Sequence, residues 1–188
     1  MCIRCVSNVK LSYNIVSILK GEQRKMKLNL NSKTLVLLQG LPGSGKSSFV
    51  KKWNLEDYTL CKDDFRIKAG CVGEDGISQD SNGIVKRIVY MLLEERLKNG
   101  KFTIIDETNV FNSTVWKYKE YADKYGFDVI LIRFNVSPEE CLARQSERGF
   151  RAVSKECIDK LNHYYIHMNH EAVDVNEIDD VIREEDVL

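Results

Sequence analysis

The chain has 188 residues, 43% of them hydrophobic and 30% charged, with 28 basic residues against 28 acidic ones. That length holds one domain with a sizeable core and little else. The balanced charge excludes a global field for a polyanion, so any nucleic-acid contact has to come from a local basic groove.

No apolar run approaches the roughly 18 residues that a membrane-spanning helix needs. The six cysteines, at positions 2, 5, 61, 71, 141 and 157, are irregularly spaced and follow no secretory signal, which points to reduced thiols and a cytoplasmic setting.

Residues 1–33 read as a loose basic extension, with Arg4, Lys10, Lys20, Arg24, Lys25, Lys27 and Lys33 against Glu22 alone. Within it, residues 1–25 are expected to be dispensable, because Met26 opens the stretch that leads into the domain. Cys2 and Cys5 form a C-x-x-C, but no second pair follows at zinc spacing.

From Thr34 the elements alternate. "TLVLLQ" (34–39) reads as a buried strand, residues 46–54 open a helix, and "YTLCK" (58–62) reads as a second strand. "SNGIVKRIVYMLLEERLKNG" (81–100) reads as a helix with Ile84, Ile88, Met91 and Leu92 on one face and Gly100 as its stop. "FTIID" (102–106) is a third strand, "STVWKYKEYADKYG" (113–126) a helix ended by Gly126, and "DVILIRFNV" (128–136) a fourth strand.

Ser137, Pro138 and Glu140 then spell a capping box with proline at the first helical position. A last helix runs from about Ser154 to about His170, and residues 171–188 read as an acidic tail. Strand–helix alternation with Val/Ile/Leu-rich strands predicts a central, mostly parallel sheet between helical layers, a three-layer α/β domain over 34–170. Ligands bind such sheets at the carboxyl ends of the strands.

The first of those ends carries "GLPGSGKSS", Gly40, Leu41, Pro42, Gly43, Ser44, Gly45, Lys46, Ser47 and Ser48. It fits G-x-x-x-x-G-K-[ST] with a strand before it and a helix after it, the context that turns a glycine-rich loop into a phosphate cradle. Glycines let backbone N–H groups turn onto a phosphate, and the helix N-terminus adds positive potential. Lys46 then reaches the outer phosphates of ATP, and the Ser47 hydroxyl ligates Mg²⁺. No N-K-x-D guanine signature or D-x-x-G after a strand follows, which weighs against a GTPase.

The acceptor side offers "KDDFR" after strand two. Asp63 suits a general base for a hydroxyl acceptor, and Arg66 suits a bidentate grip on an acceptor phosphate. Asp64 can be such a group or a cap. After strand three, "DETN" presents Asp106 and Glu107, then Thr108 and Asn109, which serve either as acceptor contacts or as helix-entry caps.

"ARQSERGFRAVS" places Arg144 and Arg148 four apart, on one helix face, before Gly149 and Arg151. This pattern is either a helical lid that carries arginines to the transferring phosphate or a solvated basic helix end. His163, His167 and His170 share a face without a carboxylate partner and read as a polar surface.

In this order, "GLPGSGKSS", "KDDFR", "DETN" and "RQSERGFRAVS" resemble the 5′-kinase domain of bacteriophage polynucleotide kinase, over roughly Thr34 to Tyr165. The resemblance implies the P-loop NTPase fold with a lid, ATP and Mg²⁺ as cofactors, and a DNA or RNA 5′-hydroxyl end as partner. It implies Lys46 and Ser47 on the phosphates and metal, Asp63 as general base, Arg66 on the phosphate next to the attacked nucleoside, and Arg148 on the transferring phosphoryl with Arg144 assisting.

Two departures stand out. The phage enzyme has a single acidic residue before its T-N, where this chain has two. The wider group of related kinases, which includes the zeta-toxin-like enzymes acting on small molecules or nucleotide sugars, favours Asp106. The chain also lacks the D-x-D-G-T of the phage enzyme's phosphatase domain. A small-molecule kinase of the same fold is the alternative, and a nucleotide-binding module without transfer activity is disfavoured by the joint presence of Lys46, Asp63 and Arg148.

Overall fold

The computed structural model describes residues 29–73, 76–78, 82–168 and 180–183. The extension expected over residues 1–25 and His170 lie outside the described residues.

Five strands form the main sheet: β1 (Thr34–Gln39), β2 (Thr59–Cys61), β5 (Thr103–Asp106), β6 (Asp128–Arg133) and β7 (Asp180–Arg183). Their order is β2-β5-β1-β6-β7, and every pairing is parallel. A two-stranded antiparallel hairpin, β3 (Val72–Gly73) with β4 (Gly76–Ile77), stands apart from it. The helices are α1 (Lys46–Lys52), α2 (Lys62–Lys68), α3 (Asn82–Lys98), α4 (Asn112–Tyr125), α5 (Pro138–Ala143) and α6 (Lys155–Met168). Among the described residues no helix is long and apolar enough to cross a membrane.

Central strand β1 is buried along its whole length, and its side chains alternate between two cores as a strand period of two requires. Leu35 and Leu37 join Val89, Leu93 and Leu97 of α3 and Val115, Tyr118 and Ala122 of α4. Val36 and Leu38 join Phe49 and Val50 of α1 on the opposite face, with Phe134 edge-on to Phe49 at 5.8 Å. Each such fully buried aliphatic chain contributes about 1.5–3 kcal/mol.

Local signals set several boundaries. Ser137 Oγ accepts the Glu140 N–H at 3.1 Å with Pro138 at the first helical position, as the capping box predicts. Gly126, at φ 68°, ends α4 in the left-handed conformation that favours glycine.

Other expectations need correction. The buried face of α3 is Val85, Val89, Leu93 and Leu97, while Ile84 and Met91 of the expected face are 55% and 71% exposed. Apolar residues cover more than half of the circumference of this helix, so periodicity alone did not pick the stripe that meets β1. Helix α5 stops at Ala143, and two short 3₁₀ turns carry residues 144–147 and 149–151, so Arg144 and Arg148 do not share an α-helical face. The segment read as an acidic tail contributes strand β7, which extends the sheet beyond β6.

Candidate active site

Cys61, Leu38 and Asp106 are in register, so the loops after β2, β1 and β5 leave the sheet at one level. The phosphate loop follows β1. Gly43 has φ 93°, and a Cβ there would lie 2.6 Å from Gln145 Nε2 and 2.7 Å from the Cys141 carbonyl oxygen, so glycine is required on both counts. Gly45, at φ 105°, precedes α1, which carries neither a side-chain cap nor an acidic residue in its first turn. Its first N–H groups therefore remain for an anion.

Lys46 is only 7% exposed. Its Nζ donates to the carbonyls of Gly40 and Leu41, both at 2.8 Å, and to Ser44 Oγ at 3.3 Å. Burial lowers its pKa to about 8; Asp106 opposes that shift and Arg148 adds to it. Leu41 packs with Cys141 and Ile158, which ties the loop to α5 and α6.

Ser47 Oγ donates to Asp106 Oδ2 at 2.7 Å. Asp106 is buried, and desolvation pushes its carboxyl pKa up against the pull of Lys46 and Ser47. A hydroxyl beside one carboxylate is a sparse, hard oxygen donor set, which suits Mg²⁺, an ion that keeps most of its waters and takes phosphate oxygens. Among the described residues no group of three or more His, Cys, Asp or Glu offers a fuller metal cage.

The structure separates the two acids of "DETN". Glu107 faces the other way, accepting from Lys62 Nζ and Tyr118 Oη, both at 2.6 Å. Asn109 is neither exposed nor a helix cap: Phe111 holds the N-cap position of α4. Asn109 adopts φ 47°, is 2% exposed, and donates its side-chain amide to the Leu38 carbonyl at 2.8 Å. Its own carbonyl accepts from Gln39 Nε2 at 2.8 Å, and the Thr108 carbonyl accepts the Gly40 N–H at 3.0 Å. These two residues brace the loop after β5 against the end of β1.

β2 ends at Cys61 and α2 starts at Lys62, so "KDDFR" is helical, with Asp63 and Asp64 in the first turn, where the helix dipole favours negative charge. The Asp63 carboxylate is partly exposed and accepts from Arg66 Nη1 at 2.7 Å. Arg66 is 6% exposed, and its second arm, Nη2, donates to Asn82 Oδ1 at 2.7 Å. It is therefore a buried cation that braces Asp63. Asp64 does not cap α2; it pairs with Arg151 at 2.6 Å across to the lid.

In the lid, Arg144 Nη1 donates to the Gly43 carbonyl at 3.1 Å and pairs with Glu140. Arg148 Nη1 donates to Gln145 Oε1 at 2.9 Å. Burial lowers the Arg148 pKa, with Asp63 and Asp106 opposing, which puts this guanidinium within electrostatic reach of both carboxylates. Three contributors had no role assigned from sequence: Gln145, Asn82 and the Lys62–Glu107–Tyr118 link. Gln145, Lys62 and Glu107 lie inside the motifs singled out above, but the part each plays is recognisable only by the partner it meets.

Many solved structures share this architecture. Two of them are chains of Pnkp1/Rnl/Hen1 complexes, the first described as an RNA repair complex. One is 26% identical with a TM-score of 0.62 and covers 74% of this chain. The other, also 26% identical, has a TM-score of 0.51 over 66% of it. This chain spans 46% and 40% of those two chains, less than half of either. A chain of the PezAT toxin–antitoxin system of Streptococcus pneumoniae shares the fold at 13% identity and TM-score 0.62, over 91% of this chain and 73% of its own. A family model described as an AAA domain matches residues 35–166. The chain belongs to that family, and its fold is that of a kinase-type P-loop domain of the polynucleotide-kinase kind.

Proposed function

We propose that the protein is an ATP-dependent polynucleotide 5′-kinase that phosphorylates the 5′-hydroxyl end of a DNA or RNA strand in nucleic-acid repair. The observation that carries this reading is the placement of Asp63. It stands two residues beyond Cys61, the strand partner of Asp106, is pinned at 2.7 Å by a buried arginine, and lies within electrostatic reach of the lid arginine Arg148. The likeness to a chain of an RNA repair complex at 26% identity supports the choice of a polymer acceptor.

Each residue then has a task. Bound ATP with Mg²⁺ supplies the phosphoryl group and the charge that polarises it. Ser47 and Asp106 would hold the metal, the hydroxyl directly and the carboxylate beside it. The backbone of Gly40 to Ser48 orients the phosphates. Lys46 is already charged at neutral pH and exchanges its loop carbonyls for phosphate oxygens. Asp63 orients the acceptor hydroxyl and takes its proton. Arg66 keeps Asp63 aimed and places positive charge where the acceptor's own phosphodiester lies. Arg148 and Arg144 neutralise charge on the donor side.

The test is phosphate transfer from radiolabelled ATP to a 5′-OH oligonucleotide, a 3′-phosphorylated nucleoside, a bare nucleoside and a panel of sugars. The oligonucleotide and the 3′-phosphorylated nucleoside are expected to be far better acceptors than the bare nucleoside. Equal phosphorylation of a bare nucleoside or of a sugar replaces this reading with a small-molecule kinase.

A further inference from the structure

The lid holds a buried amide whose bonding is complete. Gln145 is 7% exposed. Its Nε2 donates to the carbonyls of Pro42, at 3.1 Å, and Cys141, at 2.6 Å. Its Oε1 accepts from Arg148 Nη1 at 2.9 Å and from the Val153 N–H at 3.1 Å. Two donors and two lone pairs are all that a glutamine amide has. The partners also settle its orientation, because the reverse flip would set an oxygen against two carbonyls and an NH₂ against two donors.

These four bonds join three places that have to agree during transfer: the tip of the phosphate loop, the end of α5 and the lid arginine. The fit at the tip is close enough that a Cβ on Gly43 would lie 2.6 Å from Gln145 Nε2. Next to it, Arg144 holds the following loop carbonyl, that of Gly43, at 3.1 Å. An arginine on a mobile turn carries about 2 kcal/mol of rotamer entropy, and a single neutral acceptor on Nη1 removes much of that freedom while leaving its other N–H groups for an anion.

We infer that Gln145 is a positioning residue: it reads the phosphate-loop backbone with one end of its amide and sets the Arg148 guanidinium with the other, so that lid and loop meet the donor phosphates in register. This rests on the kinase reading above, in which Arg148 serves the donor.

Two variants and two readouts test it. Gln145→Met keeps the volume and removes all four bonds. It is expected to lower kcat about tenfold or more, the usual worth of a hydrogen bond to a charged group, with KM for ATP moving less than about threefold. In an Arg148→Ala background the same change should cost less than about twofold, because what Gln145 positions is gone. Equal losses in both backgrounds, or an unchanged kcat, overturn the inference and leave Gln145 a packing residue.

Gln145→Glu keeps an acceptor for Arg148 but turns oxygen on the Pro42 and Cys141 carbonyls. It should raise KM for ATP and spare kcat, the reverse split; a matching kcat loss overturns the proposal. The second readout needs no turnover. The ¹H–¹⁵N heteronuclear NOE of the Arg148 side chain should be that of an ordered group in the parent and in Gln145→Glu, and should fall in Gln145→Met. A mobile Arg148 in the parent refutes the inference whatever the acceptor. An ordered Arg148 in an enzyme that leaves 5′-OH oligonucleotides untouched refutes the polynucleotide reading instead, and the kinetic arms are then run with the acceptor that the parent does phosphorylate.

Discussion

At the end of β1 the phosphate loop has a buried cation inside it, Lys46 on the carbonyls of Gly40 and Leu41, and is clasped at its tip by Gln145 on Pro42 and Arg144 on Gly43. At the end of β2 two carboxylates are held by ion pairs: Asp63 by Arg66, which is itself held by Asn82, and Asp64 by Arg151 of the lid. One side is a local motif with a buried cation inside it. The other is an assembly of ion pairs, partly open to water, whose members come from three segments of chain. The donor site should therefore stand ready before any ligand arrives, while the acceptor edge takes its final shape only when lid and substrate close on it.

Substitutions on the two sides should fail in different ways. The largest effect is expected for Asp63→Asn, which removes the proton acceptor; loss of general-base assistance lowers kcat about 10²–10⁴-fold. ATP affinity, read by calorimetry, should hardly change, and a matching loss of ATP binding would contradict the division into two sides.

Lys46→Met comes next, with kcat down by roughly 10²–10³, the usual loss on removing one preorganised donor. Unlike Asp63→Asn, it should also change how the stability of the ligand-free chain depends on pH. The sign follows from a folded-state pKa of about 8 against the ordinary 10.5. Below about pH 8 the folded chain carries the full desolvation penalty; between the two values the unfolded chain binds more protons, so the parent gains on Lys46→Met as pH rises through that window. Urea unfolding at pH 7 and pH 10 reads the difference. Phosphates favour the protonated lysine, so ATP affinity of the parent should weaken above about pH 8.

A smaller change is expected for Arg66→Ala. The loss of a charge-assisted phosphate contact should raise KM for the oligonucleotide about tenfold or more, and kcat should fall as well, because Asp63 loses the arm that aims it. A pure KM effect in steady-state kinetics would show that the Asp63 pairing does not matter for turnover. Smallest of all is Asp64→Asn. Its pair with Arg151 is solvent-exposed, such pairs contribute about 0–1 kcal/mol, and kcat/KM should stay within about threefold of the parent.

The same division explains what could be read from sequence. The phosphate loop, the strand it follows, the Ser137 capping box and the Gly126 stop are short-range patterns, and the structure has each where the sequence implied it. Choosing between Asp106 and Glu107 required the pairing of β5 with its neighbours, since one residue of register turns a carboxylate toward Ser47 or toward Lys62. The α3 face was misread because Ile84, Val85, Ile88, Val89, Met91, Leu92 and Leu93 spread over more than half of the helix circumference, and only packing against the core distinguishes Val85 and Val89 from Ile84 and Met91. Gln145 gave no signal, because an amide in a polar stretch looks like surface until its four partners are in place.

The strand order has a consequence for how the chain acquires its fold. β1 is made early, yet its partners on either side are residues 103–106 and 128–133. Until the ribosome has released the first of them, "TLVLLQ" has no partner strand to join, and a short, uncharged, aliphatic-rich segment in that condition pairs readily with the wrong chain. Parallel pairings at such separations also form slowly, since loop-closure entropy precedes any gain from contact. Expression yield should therefore depend on chaperone supply and on growth temperature more steeply than the stability of the finished domain would suggest.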